Sequence, residues 1–132
     1  MNLQFKMHGN YKFSIEDNIF IVDITGPCNK EFFDGLHQGM VQTVAQSQLV
    51  NFATLVILRG DAVIINEIFN YHVEFLKSVA VELIAVNLKY CETSALTEIM
   101  CYKAYTNAGI KHKFFTDNQM AKNWLNNELN SV

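Results

Sequence analysis

The side chains in this sequence that could do chemistry are few and scattered. Cys28, Cys91 and Cys101 make an odd count with no CxxC spacing, and His8, His37, His72 and His112 form no HxH or HExxH pair. Structural zinc sites and disulfide frameworks are recognised by such local spacing. Neither is expected, and each cysteine reads first as a small buried hydrophobe. There is no nucleophile–base dyad and no glycine-rich phosphate loop, so no enzyme activity and no cofactor are expected. One stretch invites a closer look. Residues 54–69 read TLVILRGDAVIINEIF, an apolar strand cut by Arg59-Gly60-Asp61 and followed by a helical pattern. In open α/β proteins the turn after such a strand is where ligands gather. This turn carries no serine, threonine, cysteine or histidine. Asp61 remains, and one reading makes it the N-cap of the following helix, worth about 1 kcal/mol.

That helix, read from Ile64 to Val79, divides unequally. Asn66, Glu67, Asn70, Glu74, Lys77 and Ser78 share an arc of roughly 120°, and Ile64, Ile65, Ile68, Phe69, Tyr71, Val73, Phe75, Leu76 and Val79 fill about 200°. A stripe of about 100° suffices to pack on one sheet. The surplus should meet a neighbouring helix, a second subunit or an apolar ligand. Phe69, Tyr71, Phe75 and Leu76 are the contact candidates. His72, near the middle of the arc, is either a buried neutral imidazole with its hydrogen bonds satisfied or a polar anchor in a pocket or interface. Tyr90-Cys91-Glu92 follows the next strand and, with parallel strands, lies at the same sheet end as Asp61. Cys91 is there the thiol with the best claim to exposure. Asp23 should face outward by alternation, and Lys111, His112 and Lys113 read as a solvated edge.

The elements that must position these residues follow from pattern. With 132 residues, half of them hydrophobic and 17% charged, the chain is one domain with a real core, residues 1–132. Tyr11–Ile15 and Ile19–Ile24 flank a polar turn as a β-hairpin, ended by Thr25-Gly26-Pro27. Asn29 caps a helix over residues 30–46 whose inner stripe is Phe32, Phe33, Leu36, Met40 and Val44. Gly35 and Gly39 in it suggest close packing. Strands follow at residues 54–58, 81–86 and 111–116, and helices at 95–108 and from Asp117 onward. Gly109-Ile110 signals a Schellman ending. The last helix carries Met120, Ala121, Trp124, Leu125 and Leu129 on one stripe. The order ββαβαβαβα predicts an α/β fold with a mixed sheet of about five strands and four helices, parallel after the hairpin.

Net charge of −3, with Arg59 the sole arginine, argues against nucleic-acid binding. Glu67, Glu74, Lys77 and Glu82 interrupt the apolar stretches, so no membrane span is expected. The start MNLQFKMHGN lacks the apolar run of a signal peptide, and a cytoplasmic location is the reading.

The element order, with LVILRG at the third strand, ELIAVNL at the fourth and KHKFFTDNQMAKNWL at the end, resembles the STAS domains, and among them the SpoIIAA-like family named after the anti-sigma factor antagonist. The resemblance covers roughly residues 11–129. It implies a regulatory protein-interaction module. In phospho-regulated members the turn after the third strand carries a serine or threonine that a kinase modifies, adding about −1.5 to −2 charges. The matching turn here, Gly60-Asp61-Ala62-Val63, has no hydroxyl. Asp61 then has a second reading, a fixed negative charge where relatives carry a removable phosphate. The leading expectation is a non-catalytic interaction module with a protein partner and a homodimer formed through the surplus arc. The alternative is a carrier for a small apolar or lipid-like ligand, anchored by His72 or Tyr71. If no dimer forms, cover by the last helix, with Trp124 nearby, is expected.

Overall fold

A computed structural model describes residues 9–79 and 81–131. The readings of the amino-terminal segment and of His8 lie outside them. The chain runs β1 (Asn10–Glu16), β2 (Ile19–Thr25), α1 (Lys30–Ser47), β3 (Ala53–Arg59), α2 (Asn66–Ser78), β4 (Leu83–Asn87), α3 (Ser94–Asn107), β5 (Lys111–Phe115) and α4 (Asn118–Asn130). This is the α/β order that the sequence predicts. The strands lie in the sheet in chain order; β1 is antiparallel to β2 and every later pairing is parallel. Glu16 pairs with Ile19, so the hairpin loop is Asp17-Asn18, and Asp17 takes the left-handed conformation (φ 54°) that aspartate tolerates.

Parallel crossovers that all step the same way lay their helices on one face of a sheet. Side chains alternate along each strand, and two separate cores result. Phe20, Val22 and Ile24 of β2, Val56 and Leu58 of β3, and Ile84 and Val86 of β4 pack with α1, α2 and α3. On the other face Ile19, Leu55, Ile57, Leu83 and the small Ala53 and Ala85 receive Ala121 and Leu125 of α4 alone. Thus β3 and β4 are buried on both sides, as their unbroken apolar runs require. β5 is an edge strand with Lys111 and Lys113 exposed, whereas His112 is half-buried among Tyr102, Tyr105 and Phe114.

The caps mostly follow the residue types. Asn29 accepts from the Phe32 amide at 2.9 Å and Asp117 from the Met120 amide at 3.2 Å. At the end of α3, Ile110 N–H donates to Tyr105 O at 2.8 Å and Gly109 N–H to Thr106 O at 3.1 Å, with Gly109 at φ 73°. That is the Schellman arrangement. Two expectations need correction. Asp61 does not cap α2, which begins five residues later with Ile65 at its N-cap position and no side-chain cap. The chain after β3 is first tied sideways: Gly60 bridges to Cys91, and Ala62 N–H donates to Thr93 Oγ1. It cannot coil until those bonds are behind it. Met120 is 61% exposed, because the first turn of α4 borders the cleft at the ends of β4 and β5 rather than the sheet face. Among the described residues no helix is long and apolar enough to cross a membrane.

Candidate functional site

The stripe of α1 that carries Phe33, Met40 and Val44 also carries His37, spaced four and three residues from its neighbours. This places His37 against α2, 5% exposed, with its Nε2 2.8 Å from Nδ1 of the half-buried His72. The two imidazoles lie within 12° of parallel, and Phe75 stacks on His37 at 3.8 Å with an interplanar angle of 6°. In the neutral pair one ring donates and the other accepts, so a single hydrogen bond joins them. Burial, opposed by Asp34, pulls the His37 pKa down to about 4. Burial and then His37 pull His72 down to about 3. Outside the seam, Tyr71 donates to Asp34, which Lys30 also contacts at 3.1 Å. The hydrogen bond from Tyr71 is the chief reason the Asp34 carboxyl is held below its usual range.

These contacts account for most of the surplus arc of α2, with Ile65 left 64% exposed at its start. α1 and α3 flank it, and Phe69, Phe75 and Leu76 pack into the three-helix core. Most of the apolar surface that suggested a homodimer is therefore covered within the chain. The last helix does not provide the cover: α4 lies on the opposite face, where Trp124 packs on Phe115. Tyr71 is exposed and turned to Asp34, so it anchors nothing inside.

Behind the seam lies a cavity of about 80 Å³ between sheet and helices, bordered by Phe69, His72 and Leu76 of α2, Met40 of α1 and Cys101 of α3. Its floor includes Thr54 of β3, which is 1% exposed. Thr54 Oγ1 is, among the described residues, the one fully buried side-chain N or O atom without a hydrogen-bond partner. The cavity also meets Cys28 and Cys101, and burial pushes each thiol up to about 12. Such thiols are not nucleophiles at neutral pH.

The second gathering of predicted residues is at the carboxyl ends of the strands. Gly60 N–H donates to Tyr90 O (3.1 Å) and Glu92 N–H to Gly60 O (2.8 Å), so Asp61 and Tyr90-Cys91-Glu92 do share a sheet end. Asp61 is exposed and accepts from the Val63 amide two residues on, at 3.0 Å. Arg59 pairs through Nε and Nη2 with the outward-facing Asp23 (2.8 and 3.2 Å) and lies 4.6 Å above the exposed Tyr90 ring. Cys91 corrects the expectation of an exposed thiol. It is 9% exposed, with Sγ 3.6 Å from both Thr93 and Thr97 Oγ1, because the bridge to Gly60 draws it under α3.

Sequence reasoning missed a third feature. α3 has large apolar residues on both its inner and outer sides: Thr97, Ala104 and Tyr105 are buried, while Leu96, Ile99 and Tyr102 on its outer side are 51%, 54% and 57% exposed. Their spacing of three was the available signal. Among the described residues no group of three or more metal-ligating side chains comes together. No protein-family model, curated protein or solved structure matches the chain.

Proposed function

We propose that this chain is a non-catalytic module that binds another protein, with the outer side of α3 as its docking surface. The observation that carries the reading is the stripe of Leu96, Ile99 and Tyr102, three large apolar side chains one helical turn apart and each more than half exposed. Single exposed apolar residues are ordinary, whereas a contiguous patch rimmed by polar groups is the mark of an interface. Glu98 and Lys103 supply that rim. The resemblance to anti-sigma factor antagonists supports a regulatory role exerted through binding. Because the turn after β3 offers no hydroxyl, association is not gated by phosphorylation there. Asp61 instead presents a constant charge at the sheet end.

The test is affinity enrichment with the wild-type chain and with Leu96→Asp/Ile99→Asp, followed by titration of the purified partner. Loss of the partner in the double variant, with an unchanged circular dichroism spectrum, is the expected result. A partner held equally by both forms, or none held by either, removes this reading.

A further inference from the structure

Thr54 stands where a hydroxyl has no reason to be. β3 places it on the three-helix face, in register with Val56 and Leu58, and a valine of the same shape would fill the site without a stranded polar atom. Leaving a buried hydroxyl without a partner costs its full desolvation. Water is a poor partner, since a buried water needs two to four polar contacts and this cavity is walled mainly by Val22, Ile24, Phe33, Leu36 and similar side chains.

A second space adjoins the first. A groove of about 260 Å³ runs between the ends of α1 and α2, lined by Phe20, Val44, Phe52, Phe75 and the half-exposed Val41. Met40 and Val81 border both the groove and the inner cavity. Methionine is unbranched and readily changes rotamer, so the Met40 side chain is the natural door between them. Alone, the cavity holds only a few heavy atoms. Joined, the two spaces reach the lower end of the range of small-molecule pockets, about 300–1,000 Å³.

We propose that cavity and groove form one binding site for a neutral, elongated apolar molecule with a single hydrogen-bonding oxygen, the oxygen meeting Thr54 Oγ1 and the chain lying past Met40 into the groove. The hydroxyl can donate to a carbonyl or exchange hydrogen bonds with an alcohol. A carboxylate is refused, because no cation lines the cavity and an unpaired ion cannot be buried there. This site lies on the inner side of the helices and is independent of the outer stripe of α3.

The experiment is calorimetric titration of the full chain with 1-octanol, 2-octanone and sodium octanoate at pH 7.5, for wild type, Thr54→Val and Met40→Trp. Wild type is expected to bind the alcohol and the ketone but not octanoate. Thr54→Val should keep the fold and weaken both neutral probes about three- to tenfold, the ordinary contribution of one neutral hydrogen bond. Met40→Trp should block them. The proposal is overturned if wild type binds neither neutral probe, if octanoate binds as well as octanol, or if Thr54→Val binds as tightly as wild type. A crystal structure with water hydrogen-bonded to Thr54 Oγ1 in the presence of octanol has the same consequence.

Discussion

The two faces of the sheet are built to different standards. On the α4 face, Ala53, Leu55, Ala85, Ala121 and Leu125 are all fully buried, and small residues let the helix settle directly on the strands. The three-helix face is larger and looser, holding a cavity, an unpaired hydroxyl and a histidine pair inside one apolar layer. Close packing to crystal-like density is what makes a face rigid. Departures from it stand out where a protein binds something, since local consistency is relaxed at functional sites. The α4 face therefore holds the sheet together, and the other face carries both proposed binding sites.

The sharpest way to break this comparison is to change one buried side chain in each face. Leu55→Ala or Leu125→Ala removes a side chain with 0% exposure from the tight layer, and should destabilise the chain by about 2–5 kcal/mol. Thr54 is the immediate neighbour of Leu55 but points the other way. Thr54→Val should raise stability by about 1 kcal/mol, since it removes a polar atom that has no partner. Urea unfolding of the three variants measures both effects. If Thr54→Val destabilises, the hydroxyl has a partner in solution and the three-helix face is better satisfied than its geometry indicates.

Acid provides the next test, confined to the looser face. The histidine pair is depressed in the folded chain, to about 4 for His37 and about 3 for His72, from an unfolded value near 6.5. The unfolded state then takes up protons first as pH falls. The stabilisation from burying both rings neutral is complete above about pH 6.5 and drains away below it. The first proton can be shared across the 2.8 Å contact, but a second makes both nitrogens donors and breaks it. Asp34, Lys30 and Tyr71 face the pair from outside, and Asp34 alone favours the charged form. Between pH 7 and pH 4.5 the loss should be on the order of 2–3 kcal/mol for each ring, about 5 kcal/mol for the pair, at about 1.4 kcal/mol per unit of displacement. In His37→Leu/His72→Leu the slope over that window should be nearly flat. An equal slope in the double variant would assign the acid sensitivity to carboxylates elsewhere.

How much of this was legible in the sequence divides along the same line. Elements, their order along the chain and both side-chain caps at Asn29 and Asp117 follow from periodicity and local residue chemistry, which act within a few residues. What was missed depends on partners far along the chain. His37 meets His72 across 35 residues, and only the inner stripe of α1 hinted at it. Asp61 looked like a cap because the local pattern fits one; the bridge from Gly60 to Cys91, invisible locally, postpones α2 instead. Cys91 was misplaced for the same reason. In α3, apolar residues lie on both sides of the helix, so no single stripe declares which side is buried. The orphaned Thr54 hydroxyl is a property of what surrounds it, and an unbroken apolar run gives no sign of that.

The smallest expected change in stability is also the one that best separates holding the fold from using it. Leu96 and Ile99 are more than half exposed, and a helix surface position of that kind contributes little to folding. Leu96→Asp/Ile99→Asp should shift the unfolding free energy by no more than about 0.5 kcal/mol at each site. Acidic residues in the first turn and a half of α3 also suit the positive end of its dipole, which offsets part of any lost contact. The same change places two charges in the middle of the proposed docking stripe, where burial against an apolar partner without a counter-ion is prohibitive. Binding should vanish while the urea midpoint hardly moves. A large loss of stability would mean instead that the stripe is covered within the folded chain in solution, and the division between a structural and a working side of the sheet would have to be redrawn around α3.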